Sequence, residues 1–143
     1  MSGRMTRQQA TDALATGVRQ DLDAGSAILA LLERQFDAAL RHRSGELAAL
    51  AAELTPALAA MEARRLQRVA LVRALAGVDA TMAGFIATQA EPARARLAAG
   101  WAELEALVVR CKAATARNTA LLTEQFTVMQ RVLHGDDETY APR

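Results

Sequence analysis

Residues 97–135 read "LAAGWAELEALVVRCKAATARNTALLTEQFTVMQRVLHG". Within this stretch Leu97, Trp101, Leu104, Val108, Cys111, Thr115, Asn118, Leu122, Gln125, Met129 and Val132 recur at alternating steps of four and three. That spacing is a heptad seam, the pattern of helices that lie lengthwise against each other at a shallow angle. Leu107, Leu121 and Val128 widen one edge of the seam, and Phe126 and Leu133 widen the other. Pro92 suits a first helical position, and Gly135 suits the position just past a helix end, with His134 in the last turn. One long helix is expected between them.

Working outward, two more segments carry helical periodicity. Val18, Leu22, Gly25, Leu29, Leu32, Phe36 and Ala39 form a second heptad seam, weakened at Gly17 and Gly25. Each glycine costs about 1 kcal/mol relative to alanine inside a helix. The seam fades at "RHRSGE", residues 41–46, where Ser44 is expected to cap the next helix. So short a connection makes the first two helices antiparallel neighbours. The second helix should run from about Gly45 to Ala76, with Leu47, Leu50, Leu54, Leu58, Met61, Val69, Val72 and Leu75 facing inward. Arg65 interrupts that stripe, Pro56 predicts a kink, and Gly77 ends the helix. A short linking helix capped by Asp79 should follow, its Phe85 and Ile86 closing one end of the bundle.

The composition agrees. Of the 143 residues 52% are hydrophobic but only 3% aromatic, and alanine and leucine favour helix over strand. The expected fold is all-α: an elongated antiparallel helical bundle or coiled coil of three long helices plus the short linker. Residues 1–135 should form the helical domain and residues 136–143 a flexible acidic tail. A formal net charge of +1 gives no footprint for nucleic acid. No apolar run reaches the roughly 18 residues of a membrane span, and "MSGRMTRQQATD" lacks the apolar segment of a secretory signal. A cytoplasmic protein is expected.

Chemistry is mostly absent. A di-metal carboxylate site in a bundle needs paired Glu-x-x-His steps, and neither His42 nor His134 stands three residues after a glutamate. There is no Cys/His cluster for zinc, no phosphate-cradling glycine loop and no nucleophile elbow. No catalysis, metal or cofactor is expected. Cys111 reads as a small buried hydrophobe, Trp101 as a core anchor, and both histidines as solvated residues near helix ends. The basic runs at 41–43 and 63–65 read as solvated surface. The final turns of the last helix are harder to assign. They either fill the chain's own bundle, pair in a weak homodimer, or offer a Met- and Phe-containing surface to another helix. Thr115 and Asn118 place polar groups in the seam, which suits either a fixed register or an exchanged partner.

Several landmarks together resemble the FlgN-type flagellar export chaperones. They are "LLERQFDAAL" at 31–40, "LAALAAELTPALAAMEARR" at 47–65, the tryptophan of the third long helix, "RNTALLTEQ" at 117–125 and the final "ETYAPR". Asn118 followed by Leu121 and Leu122 matches the family's Asn and apolar pattern, whereas Ala141-Pro142-Arg143 departs from the glycine-containing stretch that usually follows the family's tail tyrosine. The resemblance implies a chaperone that binds the C-terminal helical segments of hook–filament junction proteins (FlgK and FlgL in that family). It would prevent their premature assembly and deliver them to the type III export gate. It further implies client contacts at Asn118, Leu121, Leu122, Phe126, Met129, Val132 and Leu133, and contact with the gate component FlhA at Tyr140. The rival readings are an amphipathic surface-coating protein of the phasin kind and a structural coiled-coil homodimer.

Overall fold

The computed structural model describes residues 5–139, with side chains to residue 135. It contains four helices: α1 (Arg7–Leu40), α2 (Ser44–Ala76), α3 (Met82–Ala87) and α4 (Ala93–Thr139). No strand occurs among the described residues. α1 runs up, α2 returns antiparallel to it, and α4 rises again beside α1. α1 packs against both long neighbours, which do not pack against each other. α3 bridges α2 and α4 at the lower end.

Local chemistry fixes the helix ends. Thr6 and Gln9 make a reciprocal capping box at the start of α1: Thr6 Oγ1 accepts the Gln9 N–H at 3.0 Å, and Gln9 Oε1 accepts the Thr6 N–H at 2.8 Å. At the other end His42 adopts φ 54°, its N–H donating to Ala39 O while that of Arg43 donates to Ala38 O. This is a Schellman turn, and it reverses the chain within three residues. Ser44 therefore enters α2 as a helical residue, and no side chain caps that helix, contrary to the expected role of Ser44. α2 continues through Pro56 as one element and stops at Gly77, with φ 109°. The cap of α3 is Thr81, whose Oγ1 accepts the Gly84 N–H at 3.0 Å, rather than Asp79. α4 begins directly after Pro92, where Glu91 Oε1 accepts the Ala95 N–H at 2.9 Å. It does not stop at Gly135 but continues to Thr139.

The core is divided. Its lower part gathers Leu14, Val18, Val72, Met82, Phe85, Ile86, Leu97 and Leu104, so Phe85 and Ile86 do close the end of the bundle. Its upper part is formed by Ile28, Leu32, Leu54 and Ala114. Between them lies Asp21, 1% exposed, whose carboxylate accepts from Arg64 Nε and, at 2.6 Å, from Arg68 Nη1. The Arg68 guanidinium also lies 5.2 Å from the centre of the half-buried Trp101 ring, so α1, α2 and α4 meet at one ionic and aromatic junction.

This junction corrects two expectations about the seams. The buried line of α1 is Leu14, Val18, Asp21, Gly25, Ile28, Leu32 and Ala39, with Ile28 buried where Leu29 was expected and Asp21 where Leu22 was. The reason is geometric: α1 has a helix on each side, so its covered face is wider than one seam and turns toward both. On α2 the inward arginines are Arg64 and Arg68. Arg65 faces solvent and pairs with Glu62, which lowers the Glu62 carboxyl and raises the Arg65 guanidinium from their ordinary pKa values. Leu58, expected inside, is half exposed.

Removing one member of a buried ion cluster costs about 3–5 kcal/mol, because the others are left desolvated without a counter-charge; replacing all members by apolar groups is often neutral. Arg64 and Arg68 keep some exposure, so Asp21→Ala should cost about 3 kcal/mol by urea denaturation. A triple Asp21→Leu, Arg64→Met, Arg68→Met variant should lie within about 1 kcal/mol of the parent. A harmless Asp21→Ala would show that the junction holds nothing together.

Candidate functional site

The register of α4 on α1 is set by a sequence of close contacts. A Cβ on Gly25 would come within 2.7 Å of Leu107 Cδ2, so glycine here lets the two helices approach. One turn on, the Cys111 thiol donates to Gly25 O at 3.5 Å, and burial pushes its pKa up, which makes it a poor nucleophile. Higher still, Asn118 is 2% exposed. Its Nδ2 donates to Leu32 O and to Gln35 Oε1, both at 2.8 Å. Arg117 donates to Asn118 Oδ1, pairs with Glu33 at 3.2 Å and lies 4.0 Å from the centre of the Phe36 ring. Gln125 Nε2 makes the uppermost link, donating to Ala39 O at 2.9 Å.

Beyond that link α1 has ended and α4 has not. Residues 126–139 project past the α1–α2 turn for about 21 Å, at roughly 1.5 Å per residue. The apolar pattern continues unchanged into this overhang, so side chains that would have faced α1 face water. Phe126 is 62% exposed and Met129 60%, and Val128, Val132 and Leu133 are exposed alongside them. At 100° per residue, Leu121, Val128 and Val132 form one stripe and Leu122, Phe126, Met129 and Leu133 an adjoining one. Together they span nearly half the helix circumference. A patch of this kind on an isolated chain marks a place for a partner.

The structure thus divides the residues singled out in the sequence. Phe126, Met129, Val132 and Leu133 lie together on the open overhang. Leu121 and Leu122 are half-buried at its base, where α1 runs out. Asn118 is withdrawn beneath α1 and is not part of the accessible surface; its hydrogen bonds are spent holding α4 in register. Tyr140 lies outside the described residues. Val128 was seen in the sequence only as an edge of the seam, yet it belongs to the exposed surface. Its spacing from Gln125 and Val132 was the available signal. Glu33, Gln35 and Phe36, the partners of Arg117 and Asn118, carried no sequence signal, because only the packed register brings residues so distant in the chain together.

No group of three or more His, Cys, Asp or Glu side chains that could hold a metal ion occurs among the described residues. His42 and His134 are exposed and far apart on the chain, and neither forms part of a cluster. No described helix is long and apolar enough to cross a membrane.

Comparison with known proteins agrees with this architecture. A family model described as FlgN protein matches residues 5–134, from just before the α1 cap to the last exposed apolar turn of α4. No curated protein and no solved structure matches the chain at a significant level. The match spans nearly all of the described chain, and the family's role is chaperoning rather than catalysis. The chain belongs to the FlgN family of flagellar export chaperones.

Proposed function

We propose that this chaperone acts in the cytoplasm on hook–filament junction proteins of the FlgK and FlgL kind, gripping their C-terminal helical segments with the α4 overhang. The observation that carries the proposal is the exposed surface of Phe126, Met129, Val132 and Leu133 on a helix that has outrun its internal partner. An amphipathic client helix would lie where α1 would continue if it were longer, laying its apolar stripe on the two stripes of α4. Covering the client's assembly segment in this way keeps it from polymerising before export. The shielding and the binding are the same contact.

Because these side chains bear no load in the fold, binding and stability should separate cleanly. Met129→Asp and Val132→Asp should each weaken binding of a purified C-terminal segment of a junction protein by at least about 30-fold, the loss of roughly 2 kcal/mol expected at an interface anchor. Titration calorimetry measures the affinity, and thermal melts should shift by no more than about 2 °C. Asn118→Ala should behave in the opposite way, costing about 1–3 kcal/mol of stability by leaving buried groups on α1 unpaired. Client affinity unchanged in both aspartate variants would place the site elsewhere.

Delivery needs a second contact, and the proposal assigns it to Tyr140, beyond the client surface in the sequence. Tyr140→Ala should leave client affinity and melting temperature unchanged while weakening binding of the loaded chaperone to the export-gate component by about tenfold or more. A clear loss of thermal stability with gate binding intact would assign the ring to the fold instead.

A further inference from the structure

Since α2 and α4 flank α1 without meeting, a groove of about 950 Å³ runs along α1 between them. Its floor includes Ile28, Met61 and Leu107, and its rims carry the exposed Leu58 and Val109. The α2 wall extends from Leu58 to Arg73 and the α4 wall from Trp101 to Ala116, so each is about 22 Å long at helical rise. The overhang of α4, at about 21 Å, has the same length.

The order of charges also agrees. Toward the α3 end of the groove two arginines, Arg64 and Arg68, share the single carboxylate of Asp21, and Arg73 enters no ion pair, so positive charge is in excess there. The overhang is apolar over residues 126–133 and then carries Asp136, Asp137 and Glu138 in its sequence. An overhang entering from the Leu58 end would set its apolar turns on the apolar half of the groove. Its acidic residues, ten to twelve positions further on, would then fall beside Arg68 and Arg73. The chain's own overhang points away from this groove, beyond the α1–α2 turn, so the occupant is another molecule.

We propose that the groove receives the α4 overhang of a second copy of this chain, so that client-free chaperones cap one another's sticky ends. This regulatory role rests on the reading of the overhang as the client surface. A client helix and the second copy then compete for the same apolar turns, and loading a client releases the pair into monomers.

Sedimentation velocity of the full chain over a concentration series tests this. The wild type should form a dimer as concentration rises. A groove variant, Leu58→Asp with Val109→Asp, and an overhang variant, Met129→Asp with Val132→Asp, should each self-associate at least tenfold more weakly. Mixed one to one they should recover a dimer, because each supplies the half that the other lacks. Arg73→Glu, which alters only an exposed charge, should weaken the dimer as well and should fold even if the paired aspartates in the groove do not. A monomer at every concentration, a dimer indifferent to the groove variants, or no recovery on mixing would overturn the proposal. A junction-protein C-terminal segment should dissociate the wild-type dimer and should bind the groove variant at least as tightly as the wild type. If that segment binds wild type and overhang variant equally, the client reading fails, whereas the mixing result judges the groove by itself.

Discussion

α4 is longer than the helix it leans on, and most properties of the chain follow from that mismatch. A helix of this composition gains little from propensity alone; its stability comes from burying one face. Over residues 97–125 α1 supplies the buried surface. Past Gln125 the same apolar pattern continues with no helix to face. The register contacts decide where this transition falls. Gly25 against Leu107 permits the close approach, and Asn118 with Arg117 locks α4 to the upper turns of α1. A slip of one helical turn would strand the Asn118 amide away from its acceptors and move the boundary between covered and open side chains.

The division of labour among polar groups follows the same plan. Asp21 with its two arginines sits between two apolar clusters and ties three helices together at a single level. Such a cluster adds little net stability compared with apolar packing, but it punishes any arrangement that leaves a member unpaired. Asn118 does the same higher up. Between them they allow the rest of the α1–α4 contact to be built from alanine, leucine and glycine, which by themselves specify register poorly. The surface meant for a partner contains none of these locks, and a partner's helix meets it without having to break an internal hydrogen bond.

Much of this was legible in the sequence. The heptad steps of the first and third long segments, Gly77, and Phe85 with Ile86 predict the helix order, the linker and the closed end, because periodicity and glycine act locally. The overhang residues were also visible as an excess of apolar side chains in the last turns. What escaped was whatever depends on having two neighbours at once. A single seam through α1 selects Leu22 and Leu29, whereas a helix packed on both sides buries Asp21 and Ile28. Arg64 and Arg68 looked like surface until a carboxylate from a distant position met them. Asn118 matched a family pattern, and only its packed environment shows that the side chain is consumed internally. The caps misled for a different reason. Ser44 and Thr81 have the same chemistry, but the Schellman turn at His42 already settles the chain before Ser44 can cap.

The most direct test is hydrogen exchange along α4, measured on the free chain at a dilution where it is monomeric and again with a saturating junction-protein segment. Amides between Leu97 and Gln125 should be protected in both states, because α1 covers that face. Amides of 126–139 should exchange far faster in the free monomer, with the break falling just after Gln125, and should become protected when the client is bound. Uniform protection of α4 in the free monomer, or fast exchange of 126–139 that the client does not slow, would contradict a binding surface made by a helix outrunning its support.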